Sequence, residues 1–366
     1  MKALNVLSLF NGMGFGRMAL ETLNIPVNKY FSSEIDKYAN QATQALFPDV
    51  IQLGDVTKWQ DWELINIDFD LGEIDLLLAG FPCQAWSMAG KQKGDDDPRG
   101  ALVHDLINIW KQINLCRAEL GKGPVKFMFE NVKMKKEFLD YINNLFGVEP
   151  ICINSSLVSA QNRKRYYWTN VKGVEQPEDK GVLLKDILLD GSNKCGAIRG
   201  RYIVDVKRAD HKVTSQTGIT EQRLEVRADN KTNYLTTVQK DNVVVIDEKY
   251  FVSEKQVSRL DISNLENGGA RICFKSPGQN RDKSECLMAR DYKGISGKQF
   301  FTVAMSEGRL RKLTPHEYMR LQTVPEHHID TLLNSGISNS QLYKMAGNGW
   351  THDVITHIFK GLNEDR

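Results

Sequence analysis

The strongest constraint in this sequence is an alternation. Short apolar runs occur at 3–10 (ALNVLSLF), 27–34 (VNKYFSSE), 50–56 (VIQLGDV), 74–81 (IDLLLAGF), 126–132 (KFMFENV), 151–160 (ICINSSLVSA) and 165–171 (RYYWTNV). Between them lie segments with apolar residues at helical spacing: 16–23 (GRMALETL), 37–46 (KYANQATQAL) and the longer stretch 101–120. Strand and helix in alternation predict an α/β fold, a doubly wound and mostly parallel sheet with helices on both faces. Such a sheet binds its ligands in the crevice at the carboxyl ends of its strands.

The pattern changes near Gln176. From there to Leu310 the runs are short and β-branched (YIVDV, TNYLTTV, NVVVI) among Gly, Asn, Asp and Lys. Residues 176–310 are therefore expected to form a second, smaller, β-rich domain. Helical patterning returns at Thr314, and 311–366 is expected to fold back onto the domain of 1–175. A chain of 366 residues suits that division. No apolar run is long enough for a membrane span, and the N-terminal apolar segment ends in glycines without a cleavage site, so a soluble cytoplasmic protein is expected.

The six cysteines form no CxxC pair and no His/Cys cluster with metal spacing. That predicts a reducing compartment, mostly buried structural thiols and no metal. The net charge of +2 neither requires nor excludes a nucleic-acid partner. Basic clusters at 133–137 (KMKKE), 161–165 (QNRKR) and 309–312 (RLRK) read by default as solvated surface.

Chemistry concentrates where predicted strands end. In LFNGMGFG, Gly12, Gly14 and Gly16 follow the first strand and open a helix, which lets backbone approach a ligand. Glu34 ends the second strand, where an acid can accept from ribose hydroxyls, and Asp55 ends the third, where it can accept from an adenine amino group. Turn glycines alone are common, but an acid after each of the next two strands points to an adenosine-bearing cofactor. Cys83 follows Pro82 at the end of the fourth strand. A buried structural thiol is the ordinary reading, yet this place in the cleft suits a nucleophile whose thiolate is stabilised. Glu130 ends the fifth strand, where a carboxyl can exchange a proton with a ring nitrogen. Gln161, Arg163 and Arg165 precede the last strand; alternate arginines share one face of an extended segment and suit an anion or carbonyl, or else form an exposed basic edge.

These pieces, in this order, resemble the DNA (cytosine-5) methyltransferases. FNGMGFG looks like the first family motif, PCQ the catalytic loop, ENV the acid motif and QNRKR the Gln-x-Arg-x-Arg motif. RKLTPHEYMRLQTVPE (311–326) resembles the segment that organises the recognition domain, and AGNGW (346–350) the last cofactor motif. The resemblance implies a Rossmann-like fold, S-adenosylmethionine as methyl donor, and attack of Cys83 on carbon 6 of a flipped cytosine in duplex DNA. Glu130 would then hold the base, Arg165 would contact its carbonyl oxygen and Arg163 would support it. It implies a cofactor site of Phe10, Asn11, Gly12, Gly14, Glu34, Ile35, Asp55, Val56, Pro82, Leu102, Asn348 and Trp350. It also implies DNA contacts from Gln84, Ser87, Lys91 and Arg99 on a mobile loop. Asn11 stands where the family often has an acid, and Trp350 where it usually has a small residue.

Three other readings use parts of the same pattern. A dinucleotide oxidoreductase shares Gly-x-Gly and the acid of the second strand but has no use for PCQ, ENV and QNRKR together. A tRNA cytosine methyltransferase shares the scaffold but has a shorter variable region. A non-catalytic DNA-binding relative would not need Cys83, Glu130 and Arg165 intact. A bacterial or phage-encoded monomeric DNA enzyme is the expectation carried forward.

Overall fold

The computed structural model describes residues 2–62, 69–82, 100–189, 194–202, 220–226, 243–245, 248–251, 303–306 and 309–364. The amino-terminal part runs β1 (Leu4–Leu9), α1 (Phe15–Thr22), β2 (Val27–Ser33), α2 (Lys37–Leu46), β3 (Ile51–Gln52), β4 (Leu76–Gly80), α3 (Leu102–Glu119), β5 (Lys126–Val132), α4 (Lys136–Phe146), β6 (Ile151–Asn154) and β7 (Lys164–Thr169). Their strands form one seven-stranded sheet of order β3-β2-β1-β4-β5-β7-β6. Pairing is parallel from β3 through β5, whereas β7 runs antiparallel to both β5 and β6. The α/β fold with a mostly parallel sheet is thus observed, with one reversed strand.

Alternation along each strand explains how the sheet is covered. Leu76 and Leu78 of β4 point into one core, with Val6, Tyr30, Met128 and Tyr167. Leu77 and Ala79 point into the other, with Leu7, Leu9, Phe31, Phe127 and Phe129. With both faces buried, every residue of β1 is buried, which is why it reads as a continuous apolar run. On the second face lie Leu106, Ile109 and Ile113 of α3 and Ile142 and Phe146 of α4.

The remaining described elements are α5 (Leu184–Ile187), a three-stranded sheet of β8 (Lys194–Tyr202), β9 (Thr220–Val226) and β10 (Val243–Val245), and a hairpin of β11 (Val303–Ser306) with β12 (Arg309–Lys312). After these come α6 (Pro315–Leu321), α7 (Glu326–Asn334), α8 (Asn339–Asn348), α9 (His352–Phe359) and a last short helix, Gly361–Glu364. Val354, Ile355, Ile358 and Phe359 of α9 are buried in the first core, where α9 packs on α1.

Some local readings change. The third run forms a strand only at Ile51–Gln52, and Val56–Asp61 is a 3-10 helix capped by Asp55. The sixth run is strand only to Asn154, then turns as a 3-10 helix over Ser155–Leu157. Helix α4 begins within the basic cluster KMKKE, at Lys136, and the three lysines of the cluster are exposed. Cys152 is exposed, because it faces outward between Ile151 and the buried Ile153 on the edge strand.

The two ends of the middle segment are joined by one carboxylate. Glu317, fully buried, accepts at Oε2 from the Thr314 N–H at 2.6 Å and at Oε1 from the Leu189 N–H at 2.9 Å. The Thr314 hydroxyl accepts from the Glu317 N–H at 3.3 Å, closing a capping box at the start of α6. Replacing Glu317 with Ala removes the acceptor of one buried and one part-buried N–H, at about 1–3 kcal/mol each. The expected outcome for Glu317→Ala is a loss of about 2–4 kcal/mol in urea unfolding, with Glu317→Gln recovering part of it.

Candidate active site

The sheet reverses its winding between β1 and β4, and the carboxyl ends of these strands and their neighbours bring the predicted residues together. Phe10, just past β1, has φ 54°, a left-handed conformation uncommon outside glycine. Gly12 and Gly14 follow with φ 59° and 86°, and Gly14 is the N-cap of α1. Gly16 serves a different end: an added Cβ would lie 2.5 Å from Leu78 Cδ1 and 2.9 Å from the Tyr30 hydroxyl. Its absence lets α1 lie close on the sheet.

Asn11 is buried, and its side chain is turned inward. It donates to Thr43 Oγ1 at 3.3 Å and accepts from the Tyr30 hydroxyl at 3.2 Å. Its amide is therefore committed to holding the turn, so only backbone is left to meet a ligand. The Val56 side chain belongs to the second core.

Glu34 organises the rim of the turn. Its Oε2 accepts from the Gly12 N–H at 2.9 Å, and its Oε1 from the N–H groups of Ile35 and Asp36 at 2.8 Å each. One carboxylate thereby fixes the glycine loop of β1 to the loop after β2. Ile35 beside it is 77% exposed, the largest exposure among the large hydrophobics of the described residues. Asp55 caps the 3-10 helix through Oδ1, which accepts from the Thr57 N–H at 3.0 Å and the Thr57 hydroxyl at 2.9 Å. This directs any further acceptor role to Oδ2.

The first turn of α3 adds an acid that the sequence reading did not single out. Burial and the charge of Asp55 push the Asp105 carboxyl above its usual range. Asp105 lies three residues after Leu102, which is partly buried against the second core. Helical spacing places it on the same side of α3 as Leu102; that spacing was the available signal.

Glu130, 8% exposed at the carboxyl end of β5, is the most constrained group of the site. Arg165 Nε lies 3.1 Å from its Oε1, and the Trp350 indole N–H donates to its Oε2 at 3.1 Å. Burial raises the Glu130 carboxyl above its usual range, while the charges of Arg165 and Arg163 and the Trp350 hydrogen bond oppose the rise. Trp350 reaches Glu130 across Gly80, where an added Cβ would stand 2.7 Å from the indole nitrogen. A glycine at the end of β4 is thus what lets the two residues meet.

The charges of both arginines act on Glu130, and Arg163 holds a second element as well. Arg163, 3% exposed, donates from Nη1 to the Gly347 carbonyl at 3.3 Å and from Nη2 to the Gly349 carbonyl at 2.8 Å. It holds the AGNGW turn while Arg165 holds Glu130. Gln161, fully buried, donates to the Leu321 carbonyl at 3.2 Å. Asn131 had not been singled out: it donates to the Phe81 carbonyl at 3.2 Å, tying the end of β5 to the chain immediately before Pro82. Asn348 is exposed next to this turn. Cys83, Gln84, Ser87, Lys91 and Arg99 lie outside the described residues.

An open twisted sheet with a glycine loop after β1, an acid beyond β2 and a buried carboxyl at the end of β5 defines a Rossmann-like enzyme of the methyltransferase class. The chain belongs to the C-5 cytosine-specific DNA methylase family, whose model matches residues 4–364. It is a DNA cytosine-5 methyltransferase. The orphan methyltransferase M.SPRI of Bacillus phage SPR is 28% identical over 99% of this chain and 98% of its own length. The type II methyltransferase M.NlaX of Neisseria lactamica is 27% identical over 96% and 94%. Among solved structures, the Entamoeba histolytica methyltransferase EhMeth shares the fold, with a TM-score of 0.63 at 17% identity over 100% of this chain and 99% of its own. No helix among the described residues is long and apolar enough to cross a membrane.

A carboxyl whose folded pKa lies above its unfolded value contributes its stability in full below the unfolded value and loses it as pH rises through the folded one. Glutamine is neutral throughout. Stability of Glu130→Gln relative to the parent should therefore rise with pH from the ordinary glutamate value of 4.5 upward. Urea midpoints of both proteins at about pH 5 and about pH 8 check this; a constant difference would show that the carboxyl is not raised.

Proposed function

We propose that the enzyme transfers a methyl group from S-adenosylmethionine to carbon 5 of a cytosine flipped out of duplex DNA, through a covalent bond between Cys83 and carbon 6. The observation that carries this reading is the Glu130 carboxyl, buried and gripped from two sides by Arg165 and Trp350. Such a group meets the ring edge of a base with fixed geometry and a raised affinity for its proton.

The residues at the glycine loop fit a nucleoside-bearing donor. An added Cβ at Gly12 or Gly54 would meet nothing within 4 Å, so the space before both turns is open. Glu34 stands beside it with an acceptor-only carboxylate suited to two ribose hydroxyls. Asp55 accepts from the adenine amino group, while Phe10, Ile35 and Leu102 offer apolar surface. The backbone of Gly12, Gly14, Asn11 and Val56, with Pro82, Asn348 and Trp350, completes the lining. S-adenosylmethionine supplies a methyl group on a sulfonium that departs as a thioether.

The chain's own residues perform the rest. The Cys83 thiolate adds to carbon 6 and moves the ring's electron density to carbon 5, which has little nucleophilicity otherwise. Glu130, holding the ring nitrogen and the exocyclic amino group, stabilises the negative charge that builds as the thiolate adds. Arg165 supports Glu130 and reaches the base carbonyl, and Arg163 steadies the AGNGW turn from beneath. After methylation the proton on carbon 5 is removed, the double bond re-forms and Cys83 leaves with its electron pair. A stacked base exposes neither carbon to these groups, hence the flipping. Gln84, Ser87, Lys91 and Arg99 are assigned to DNA contacts, with the two cations on phosphates. Residues 176–310 are assigned to target recognition, and the enzyme is taken to act as a monomer.

Incubation of unmodified duplex DNA with S-adenosylmethionine, followed by nucleoside mass spectrometry, should yield 5-methylcytosine in DNA and none in a parallel tRNA pool. Cys83→Ala should abolish product while unfolding and S-adenosylmethionine binding stay near those of the parent; substantial residual turnover would refute the covalent step. Exchange of 176–310 for the corresponding segment of a relative should change the sequence that is methylated, and unchanged specificity would refute the recognition assignment.

A further inference from the structure

Among the described residues, one group of side chains has a donor set suited to a metal ion, and it lies outside the active site. Glu21, near the end of α1, faces His327 and His328 in the first turn of α7, with one donor atom from each within 4.8 Å of the others. Glu21 Oε2 is 2.6 Å from His328 Nε2, and the two imidazole rings are 4.0 Å apart between centroids. Neighbouring residues on a helix normally point apart, so this approach of two rings toward one carboxylate is a specific arrangement.

We infer that Glu21, His327 and His328 form a binding site for a first-row divalent cation of the Zn2+ type, which would staple α1 to α7. Two imidazole nitrogens and a carboxylate oxygen are a donor set that Zn2+ takes at about 2.0–2.2 Å, with a fourth position left for water. Tetrahedral ligation at that length separates the donor atoms by about 3.3 Å. The existing spacing brackets that value: the Glu21–His328 pair opens slightly and His327 moves in. Glu21 and His327 are exposed and free to adjust, while His328 is the buried, fixed member. Its ring meets the edge of Phe47 at 5.2 Å between centroids.

Behind the cluster, His352 is already engaged on both ring nitrogens, with Thr22 Oγ1 at 3.0 Å and Asp353 Oδ1 at 3.1 Å.

The staple would join distant parts of the chain, since α1 begins at the Gly14 N-cap and α7 belongs to the carboxyl-terminal segment. A ligand that binds only the folded state raises stability in proportion to the logarithm of its concentration over its Kd. The site's existence does not depend on the proposed catalytic mechanism.

The test is equilibrium dialysis of the full chain against Zn2+, with Co2+ as a spectroscopic probe and thermal unfolding as a second readout. One Zn2+ per chain should be retained, with a visible Co2+ band typical of nitrogen and oxygen ligands and a raised Tm. His327→Ala and Glu21→Gln, both at exposed positions, should keep the metal-free Tm close to the parent's. Each should weaken Zn2+ binding by about tenfold or more, since each removes one of three ligands. Failure of the parent to retain a stoichiometric ion would overturn the proposal, leaving the cluster a hydrogen-bonded histidine pair. So would retention unchanged in both variants, which would place the ion elsewhere on the chain, or a Co2+ spectrum dominated by thiolate, which would place it on cysteines.

Discussion

The structure turns on the burial of one carboxyl. A carboxylate removed from water costs several kcal/mol unless its lone pairs are met, and Glu130 is met by groups from two other parts of the chain. Arg165 comes from the reversed strand β7, and Trp350 from the turn between α8 and α9. This requirement draws β5, β7 and the carboxyl-terminal segment to one point at the carboxyl edge of the sheet. Gly80 makes room there, and Arg163 fastens the same turn through the Gly347 and Gly349 carbonyls.

The carboxyl-terminal segment is consequently part of the amino-terminal architecture. Lys344 pairs with Asp36, the N-cap of α2, and the Thr351 hydroxyl lies 2.8 Å from that of Ser155. Gln322 donates to the Ala346 carbonyl, and its own carbonyl accepts from the His352 N–H. Between these anchors the chain departs after Leu189 and returns at Thr314, with Glu317 bonded to both. A segment joined at a closed base can vary in length with little strain on the sheet that carries the chemistry.

Much of the site was legible because the chemistry sits at strand ends. Glu34 follows and Glu130 lies near the end of a short run that reads as a strand, and Gly12 and Gly14 announce a turn that needs positive φ. Other features left no periodic mark. Asp55 looked like the end of a strand, but its side chain caps a 3-10 helix. The two arginines share one charged neighbour, Glu130, but nothing in the sequence shows that Arg163 also donates to the carbonyls of the AGNGW turn. Asn11 looked like a ligand contact, and Tyr30 and Thr43 claim its amide.

The sequence by itself determined the sheet, the placing of acids and glycines around its crevice, and the order of motifs that identifies a cytosine-5 methyltransferase. These are local: strand periodicity and turn chemistry act over a few residues and can be read in place. Only the tertiary structure decided which polar groups are satisfied by which. Glu130 with Trp350, Glu317 with Leu189, and Glu21 with His328 are separated by 220, 128 and 307 residues. No local pattern encodes such pairs, because a buried charge accepts any partner of the right chemistry, and packing alone determines which one arrives.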